Sequence, residues 1–574
     1  MKKSLEIKKF LGLNTGAMSE SSLVPGECVD MCNYKITSDY KLTKREGFEC
    51  VSGQIHNNRI DAMIFGRIGT GAECFYLVAH NAFLRVTVPD FSVHWIASLS
   101  TAYQRVFMFF HQQKLYILTG AEYYCYNGVT LSAVEGYRPL AFKELDDRAS
   151  RKTPYEPINL LTNKKRCHYR MKQSAWEIVM PEQPSSIDYV IMDGVIFTGY
   201  TVSTSKMVIK FPSPTGDYSV IEVGYTVGGA SGRSKITSCN AGAFFSGRSS
   251  SDLFVYKDYI RYSTRDGMVD YFPEPDAMQI GTGCYNITDI ISHYNRQIIF
   301  TENETFYSYD TTGSKTRYPV FSLNNDIGNK PHGMVKTVGN YPILLDRGMF
   351  GIVNSGVRDE RNLKNLGQRI QNWLNKADLS NAVTAEFFEN KEYFICIGDE
   401  CMVYNYELDV FYLYKGIKAK RFFNILGTLY FLGEENILYR LNRDLSCDKT
   451  MQGDKPIECR FVTAGFDFGS EDYKYFSEGA LSIKTDCEAK LSLSVKYDDQ
   501  QQEPLIKIDE SSASFVNSDF GDTSFSPQNN VKYYDFRLCG GRNKTMKYIL
   551  NENTSKGCAV ILSLSATAIT TKGK

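Results

Sequence analysis

The sequence predicts a mainly β chain: a β-propeller-like core of six or seven blade-like units, an inserted β-sandwich, a C-terminal β-sandwich and one short amphipathic helix. Three observations predict it. A pair of short strands around a tight turn recurs about every 35 to 50 residues. Copies are FYLVAHNAFLRVTV from Phe75, LYILTGAEYYCYNG from Leu115, QIIFTENETFYSYD from Gln297, PILLDRGMFGIVN from Pro342, EYFICIGDECMVYNY from Glu392 and LYFLGEENILYRLN from Leu429. The chain has 38 Tyr and 35 Phe but 3 Trp, a bias that suits pleated, half-buried strands. Two stretches without the repeat carry a strand alternation of their own. A lone hairpin exposes too much apolar surface to stand by itself, so neighbouring copies must bury one another.

Taken in order, residues 1–55 are dense in turn formers (KKFLGLNTGAMSESSLVPGECVDMCNYKITSDYKLTKREGF) and read as an extended N-terminal arm. Residues 56–145 carry the first part of the propeller. Residues 146–230 read as the inserted sandwich: Asp193-Gly194 between two β-rich runs is a hairpin signal, and Pro212, Pro214 and Gly216 mark the next turn. Residues 231–448 resume the repeat and include a helix over about 361–376. There Leu363, Leu366, Ile370, Trp373 and Leu374 recur at spacings of three and four. Residues 449–574 alternate again (ALSIKTD, AKLSLSVKYDD, VKYYDFRL, CAVILSLSATAIT) and read as the C-terminal sandwich.

At 574 residues and 43% apolar composition the chain can bury sizeable cores. Lys plus Arg and Asp plus Glu balance at 65 each, so no global field draws the chain to nucleic acid or anionic membrane. No apolar run approaches a signal-peptide core or a membrane span, and synthesis in a cytosol is expected. The 15 cysteines are scattered without a CxxC pair and are expected to be reduced, mostly buried thiols.

Catalytic signatures are sparse. His56, His80, His94, His111, His168, His293 and His332 form neither HExxH nor HxH spacing. GYTVGGASGRSK lacks the run into GK and a hydroxyl, and the IGTG segments at Gly69 and Gly281 lack a third glycine, so all three read as turns. SDFGDTSF, with Asp519 and Asp522, lacks the ligand alternation of a calcium loop. No catalytic residue, cofactor or metal site is expected. The clearest basic run is Lys164, Lys165 and Arg166, with Arg148, Arg151, Lys152, Arg170 and Lys172 nearby. It is read as a surface patch balanced by Glu144, Asp146 and Asp147. Its three leading residues are candidates for weak contacts with DNA or an acidic partner.

Read in order, several segments resemble a tailed-bacteriophage virion protein of the stabilization, tail nozzle or tail-tube type. They are Phe10–Asn14, then Leu23, Gly26, Glu27, Asn33 and KLTKREGF at Lys41–Phe48. Later come YNG at Asn127-Gly128, Asn159–Leu161, Asp193-Gly194, FPSPTG, YSTRDGMVDYFPE from Tyr262 and DRGMFGI from Asp346. The resemblance implies a non-enzymatic ring, a hexamer, that continues the DNA conduit below the portal or adaptor and retains then releases the genome. Its partners would be copies of itself, portal, adaptor or other tail proteins, and DNA in passage. It would be located in the virion after assembly in the host cytoplasm. Phe10, Leu11, Leu13, Asn14, Asn33, Lys44 and Arg45 would then be assembly contacts, and deleting residues 1–48 should leave a folded but assembly-deficient protein. The alternative is a carbohydrate-binding or carbohydrate-cleaving propeller, such as a receptor-binding tail component.

Overall fold

The computed structural model describes residues 2–17, 22–102, 105–150, 152–229, 231–246, 251–264, 267–283, 286–311, 317–354, 361–485, 489–498, 502–510, 531–555 and 557–570. The chain divides into two compact units, one of residues 58–326 and the other of residues 1–57 with 327–574. It is mainly β, and its blade-like element is a four-stranded antiparallel sheet whose strands follow one another in sequence.

The unit of residues 58–326 holds four such sheets. Blade 1 runs Ile60–Gly66, Cys74–Ala79, Ala82–Thr87 and Val93–Ser98, and blade 2 runs Phe107–His111, Lys114–Leu118, Tyr123–Tyr126 and Leu131–Ala133. Blade 3 runs Ala241–Ser246, Ser251–Tyr256, Ile260–Tyr262 and Ala277–Met278, and blade 4 runs Ile287–His293, Arg296–Thr301, Thr305–Ser308 and Val320–Asn324. Cores form between successive blades. Tyr76 and Phe83 of blade 1 meet Ile117 and Tyr126 of blade 2, and Phe254 of blade 3 meets Ile299 and Phe306 of blade 4.

The insert falls between blades 2 and 3. A five-stranded sheet, in the order Leu140–Leu145, Lys164–Arg170, Val220–Val227, Pro184–Met192, Val195–Ile196, faces a three-stranded one of Glu177–Val179, Val208–Lys210 and Thr201–Val202. Their shared core is Leu145, Cys167, Tyr169, Ile178, Val190, Ile209, Ile221, Val223 and Tyr225. Asp193 and Gly194 both take positive φ, 50° and 84°, as the two-residue hairpin turn requires.

The other unit holds blade 5 (Lys336–Val338, Tyr341–Leu345, Met349–Asn354, Arg361–Asn365) and blade 6 (Val383–Phe387, Glu392–Ile397, Glu400–Asn405, Val410–Lys415). Blade 7 has three sequential strands, Ala419–Ile425, Thr428–Gly433 and Leu438–Asn442, and its fourth is Gly47–Cys50 from the N-terminal segment. The helix expected over 361–376 is shorter than its spacing suggested. Arg361–Asn365 is drawn into blade 5, with Ile352 opposite Leu363, and helical turns cover only Gln368–Ile370 and Gln371–Leu374. Sheet pairing outweighs a weak helical preference there.

The C-terminal sandwich stacks two sheets. One carries Ala559–Thr570, Lys474–Thr485 and Val531–Arg537, and the other carries Gly453–Thr463, Met546–Thr554, Ala489–Tyr497 and Glu503–Glu510. The N-terminal segment is no free arm but a strap woven through both. Lys2–Ile7 pairs with Ala559–Thr570, and Glu27–Cys32 pairs with Gly453–Thr463 and touches blade 6 through Cys32 and Leu413. The hairpin of Tyr34–Ile36 and Leu42–Lys44 joins Ala559–Thr570 through Leu42 and Ile561.

Candidate functional site

Among the described residues no group of three or more His, Cys, Asp or Glu side chains could hold a metal ion. His111 is bonded to the Gly267 carbonyl at 2.6 Å and His168 to Glu222 at 2.6 Å. Gly69 and Gly281 take φ of 57° and 54°, as turn glycines do. Burial pushes the thiols of Cys28 and Cys459 well up and that of Cys167 to about 12, so they are inert as nucleophiles. The expectation of thiols throughout is corrected at one place. Cys396 and Cys401 face each other across the central hairpin of blade 6 and form a disulfide. Asp519 and Asp522 lie outside the described residues.

The seven residues expected as assembly contacts have partners within their own chain. Phe10 is fully buried, edge-on to Phe461 at 5.5 Å, and Leu13 is buried beside it in the same core. The Leu11 N–H donates to the Gly26 carbonyl, and Asn14 Nδ2 donates to Glu27 Oε1 at 3.0 Å. Asn33, in the left-handed region at φ 57°, accepts from Arg45 Nε and the Lys415 N–H and donates to the Glu458 carbonyl.

Arg45 is the keystone. Nη1 donates to Asp448 Oδ1 at 2.9 Å and to the Glu46 carbonyl; Nη2 donates to Asp448 Oδ2 at 2.7 Å and to the Lys415 carbonyl. With Nε on Asn33, all the N–H donors of the guanidinium are used. Lys44 has a different set of partners: its Nζ reaches the Thr554 and Gly557 carbonyls and the Glu552 carboxylate at 3.4 Å. Gly47 is required by space, because a Cβ there would lie 2.0 Å from the Cys447 carbonyl oxygen. Phe10, Asn33, Lys44 and Arg45 thus meet strands hundreds of residues away, whereas Leu11 and Asn14 bond within the strap.

The basic run is split by the two-residue period of its strand, Lys164–Arg170. Lys165 turns inward and meets Glu182 at 2.8 Å, a carboxylate that also accepts from the Tyr225 hydroxyl. Lys164, Arg166 and His168 point outward. Lys164 reaches Glu135 at 3.4 Å, while Arg166 reaches Glu222 at 3.4 Å and the Tyr137 hydroxyl at 2.8 Å. Tyr189 OH donates to Glu222 at 2.7 Å, and its ring occupies the space over Gly224, where a Cβ would sit 2.1 Å away. Burial opposes the charge on Glu222, but His168, Tyr189 and Arg166 hold its carboxyl below the usual range. The balancing acids are thus Glu135, Glu182 and Glu222, not the Glu144, Asp146 and Asp147 nearer in sequence.

One carboxylate pair shares a donor. Asn390 Nδ2 lies 3.3 Å from Glu392 Oε2 and 3.5 Å from Glu46 Oε1. Both glutamates are buried. Burial, then the charge of Glu46, pushes Glu392 up to about 7; burial opposes the charge on Glu46, but Lys35 holds it below the usual range. Spacing could not reveal this pair, since its members lie in the strap and in blade 6.

Large apolar side chains stand exposed on the unit of residues 58–326: Trp95 and Trp176 at 65% and 61%, and Val195, Ile196 and Tyr218 at the end of the insert. No helix among the described residues is long and apolar enough to cross a membrane.

No family model and no curated protein matches the chain. Among solved structures it is similar to the extracellular domain of a one-component system from B. thetaiotaomicron, at 10% identity and a TM-score of 0.37, covering 94% of this chain and 64% of that one. It is also similar to virginiamycin B lyase from Staphylococcus aureus, at 9% identity and a TM-score of 0.32, covering 77% and 99%. An exo-β-1,3-galactanase from Phanerochaete chrysosporium is similar at 11% identity and a TM-score of 0.17, covering 82% and 98%. At these values the function has to be read from the chain's own residues.

Proposed function

We propose that this chain is a non-enzymatic structural protein of a tailed-phage virion, a ring-forming component of the neck or tail that continues the DNA conduit. The observation that carries this reading is the work done by the residues behind the resemblance. Gly12, Leu13 and Asn14 fold the strap back on its own Glu27 and Cys28, Asn33 and Arg45 lock it to Asp448, and Gly47 lets it close blade 7. A motif whose members fasten the fold, rather than converge on a cleft, suits a scaffold under mechanical load. The exposed aromatic and aliphatic side chains of the insert and of blade 1 suit contacts with other subunits.

A second reading, a glycan-binding blade protein, draws on Trp95 and Trp176, since exposed rings serve as sugar platforms. Electron microscopy of the purified chain, alone and with phage portal and adaptor proteins, separates the two. Rings with a DNA-wide channel, or docking to the portal complex, support the tail reading. Persistent monomers that bind on a glycan array, with binding lost in Trp95→Ala or Trp176→Ala, would replace it with the second.

A further inference from the structure

The strap meets blade 6 through a cluster of two carboxylates in which Lys35 alone pairs directly with a carboxylate and Arg443 acts on Glu46 from beside Asn390. Glu392 begins the second strand of blade 6 and accepts from the Tyr412 hydroxyl at 2.5 Å and from Asn390 Nδ2. Glu46, on the strap, accepts from the same Asn390 amide and from Lys35 Nζ, also on the strap. Arg45 faces the cluster but is committed to Asp448, and Arg443 Nη2 is on Asn390 Oδ1 at 2.5 Å. Tyr414, from the same strand as Tyr412, lies beside them fully buried, and Asn405 Nδ2 is on the Asn390 carbonyl. Two buried carboxylates therefore share one amide donor and one ammonium. An ionised carboxylate removed from water without its own counter-charge is costly.

We propose that Glu46 and Glu392 form a proton-operated latch, in which a proton held at Glu392 tightens the pairing of Gly47–Cys50 with blade 7 and its loss to solvent loosens that pairing while the rest of the strap stays docked. With the proton present, Glu392 is neutral and Lys35 neutralises Glu46. With it gone, two anions confront each other beside a strand pairing of only four residues, Gly47–Cys50 on Leu438–Asn442. The sign follows from linkage. Glu392 takes up its proton more readily in the closed state, with its carboxyl raised to about 7 against 4.5 when free. Its contribution is complete below the free value and is lost as pH rises through the closed one. Glu46 is lowered, so its contribution is present above the free value and is lost on further acidification. The pairing is thus tightest in mildly acidic solution.

Hydrogen exchange of the full chain, measured by mass spectrometry across pH and corrected for intrinsic rates, tests the latch. Opening of peptides covering 47–50 should rise by up to about tenfold per pH unit between the two values and level off above them, while peptides of the insert show no such slope. Glu392→Gln should keep 47–50 protected and abolish the slope. An unchanged slope in that variant overturns the proposal. Should the variant fail to fold, difference infrared spectroscopy of the unmodified chain decides. A protonated-carboxyl band present at pH 6 and absent at pH 8 supports the latch, and absence of the band at both overturns it.

Discussion

The strap of residues 2–50 and the insert between Leu140 and Val227 both depart from the blade repeat, yet the strap lies in a shared core, while the insert's two sheets enclose one of their own and only its Leu160 and Leu161 join the core of blades 2 and 3. Strap side chains Ile7, Phe10, Leu13, Met31, Tyr34, Ile36, Leu42 and Phe48 are buried in a core made mostly by blades 5 to 7 and the C-terminal sandwich. The insert closes around Tyr169, Ile178, Val190, Ile209 and Val223, all its own. Its ends meet, since Lys164 is opposite Thr226 and the Val227 N–H donates to the Asn163 carbonyl at 3.1 Å. Position in the chain therefore says little about dispensability; the ownership of the buried surface decides it.

The sharpest way to break this comparison is deletion of residues 2–48. Each fully buried large apolar side chain contributes roughly 1.5–3 kcal/mol, and a domain's whole stability is only about 5–15 kcal/mol. The truncated chain should lose cooperative folding of the unit that holds the C-terminal sandwich, seen as aggregation and rapid proteolysis within 327–574. A soluble, cooperatively unfolding product would mean the strap is an accessory after all.

Next comes Arg45→Ala. It strands the Asp448 carboxylate in the core, takes the guanidinium donor from two carbonyls and leaves Asn33 Oδ1 with the Lys415 N–H alone. Removing one partner of a buried pair costs about 3–5 kcal/mol. Urea unfolding followed in the C-terminal unit should show a loss of that size, with blades 1 to 4 unaffected. Equal shifts in both units would refute the division between them.

Excision of the insert should matter less to the remainder. Replacing Lys165–Tyr225 by an Asn-Gly turn joins strands already paired at Lys164 and Thr226, in the geometry two-residue hairpins favour. The expected outcome is a soluble chain whose blades unfold within about 1 kcal/mol of the intact protein, measured by exchange protection in 107–126 and 251–262. Collapse of blades 2 and 3 would show that the excised residues share their core.

What the sequence disclosed follows from the same distinction. The repeats at Phe75, Leu115, Gln297, Pro342, Glu392 and Leu429 are the second and third strands of blades 1, 2, 4, 5, 6 and 7, buried stretches joined by short turns, so their signal is local. The first and fourth strands carry weaker patterns, as Val93–Ser98 and Val320–Asn324 show by their half-exposed residues. The strap was illegible because its evidence is remote. Lys2 pairs with Ile569, and Arg45 finds its carboxylate 403 residues away. Strands of two to four residues have no periodicity to read, and turn-forming residues between them look like a loose tail.

The smallest effect separates neighbours within the basic run. Lys164 and Lys165 look alike in sequence, but the strand's alternation sends one to solvent and the other to Glu182. Lys164→Met breaks an exposed pair and should change stability by no more than about 0.5 kcal/mol. Lys165→Met leaves Glu182 with only the Tyr225 hydroxyl and should cost roughly 1.5–3 kcal/mol, the range for hydrogen bonds to charged groups. Exchange protection of Val220–Val227 reads both variants in the intact chain. Binding to double-stranded DNA at low salt should respond in the opposite order, because only the outward lysine can reach a phosphate. If Lys165→Met weakened such binding more than Lys164→Met, the inward assignment of Lys165 would be wrong, and with it the partition of charge across this sheet.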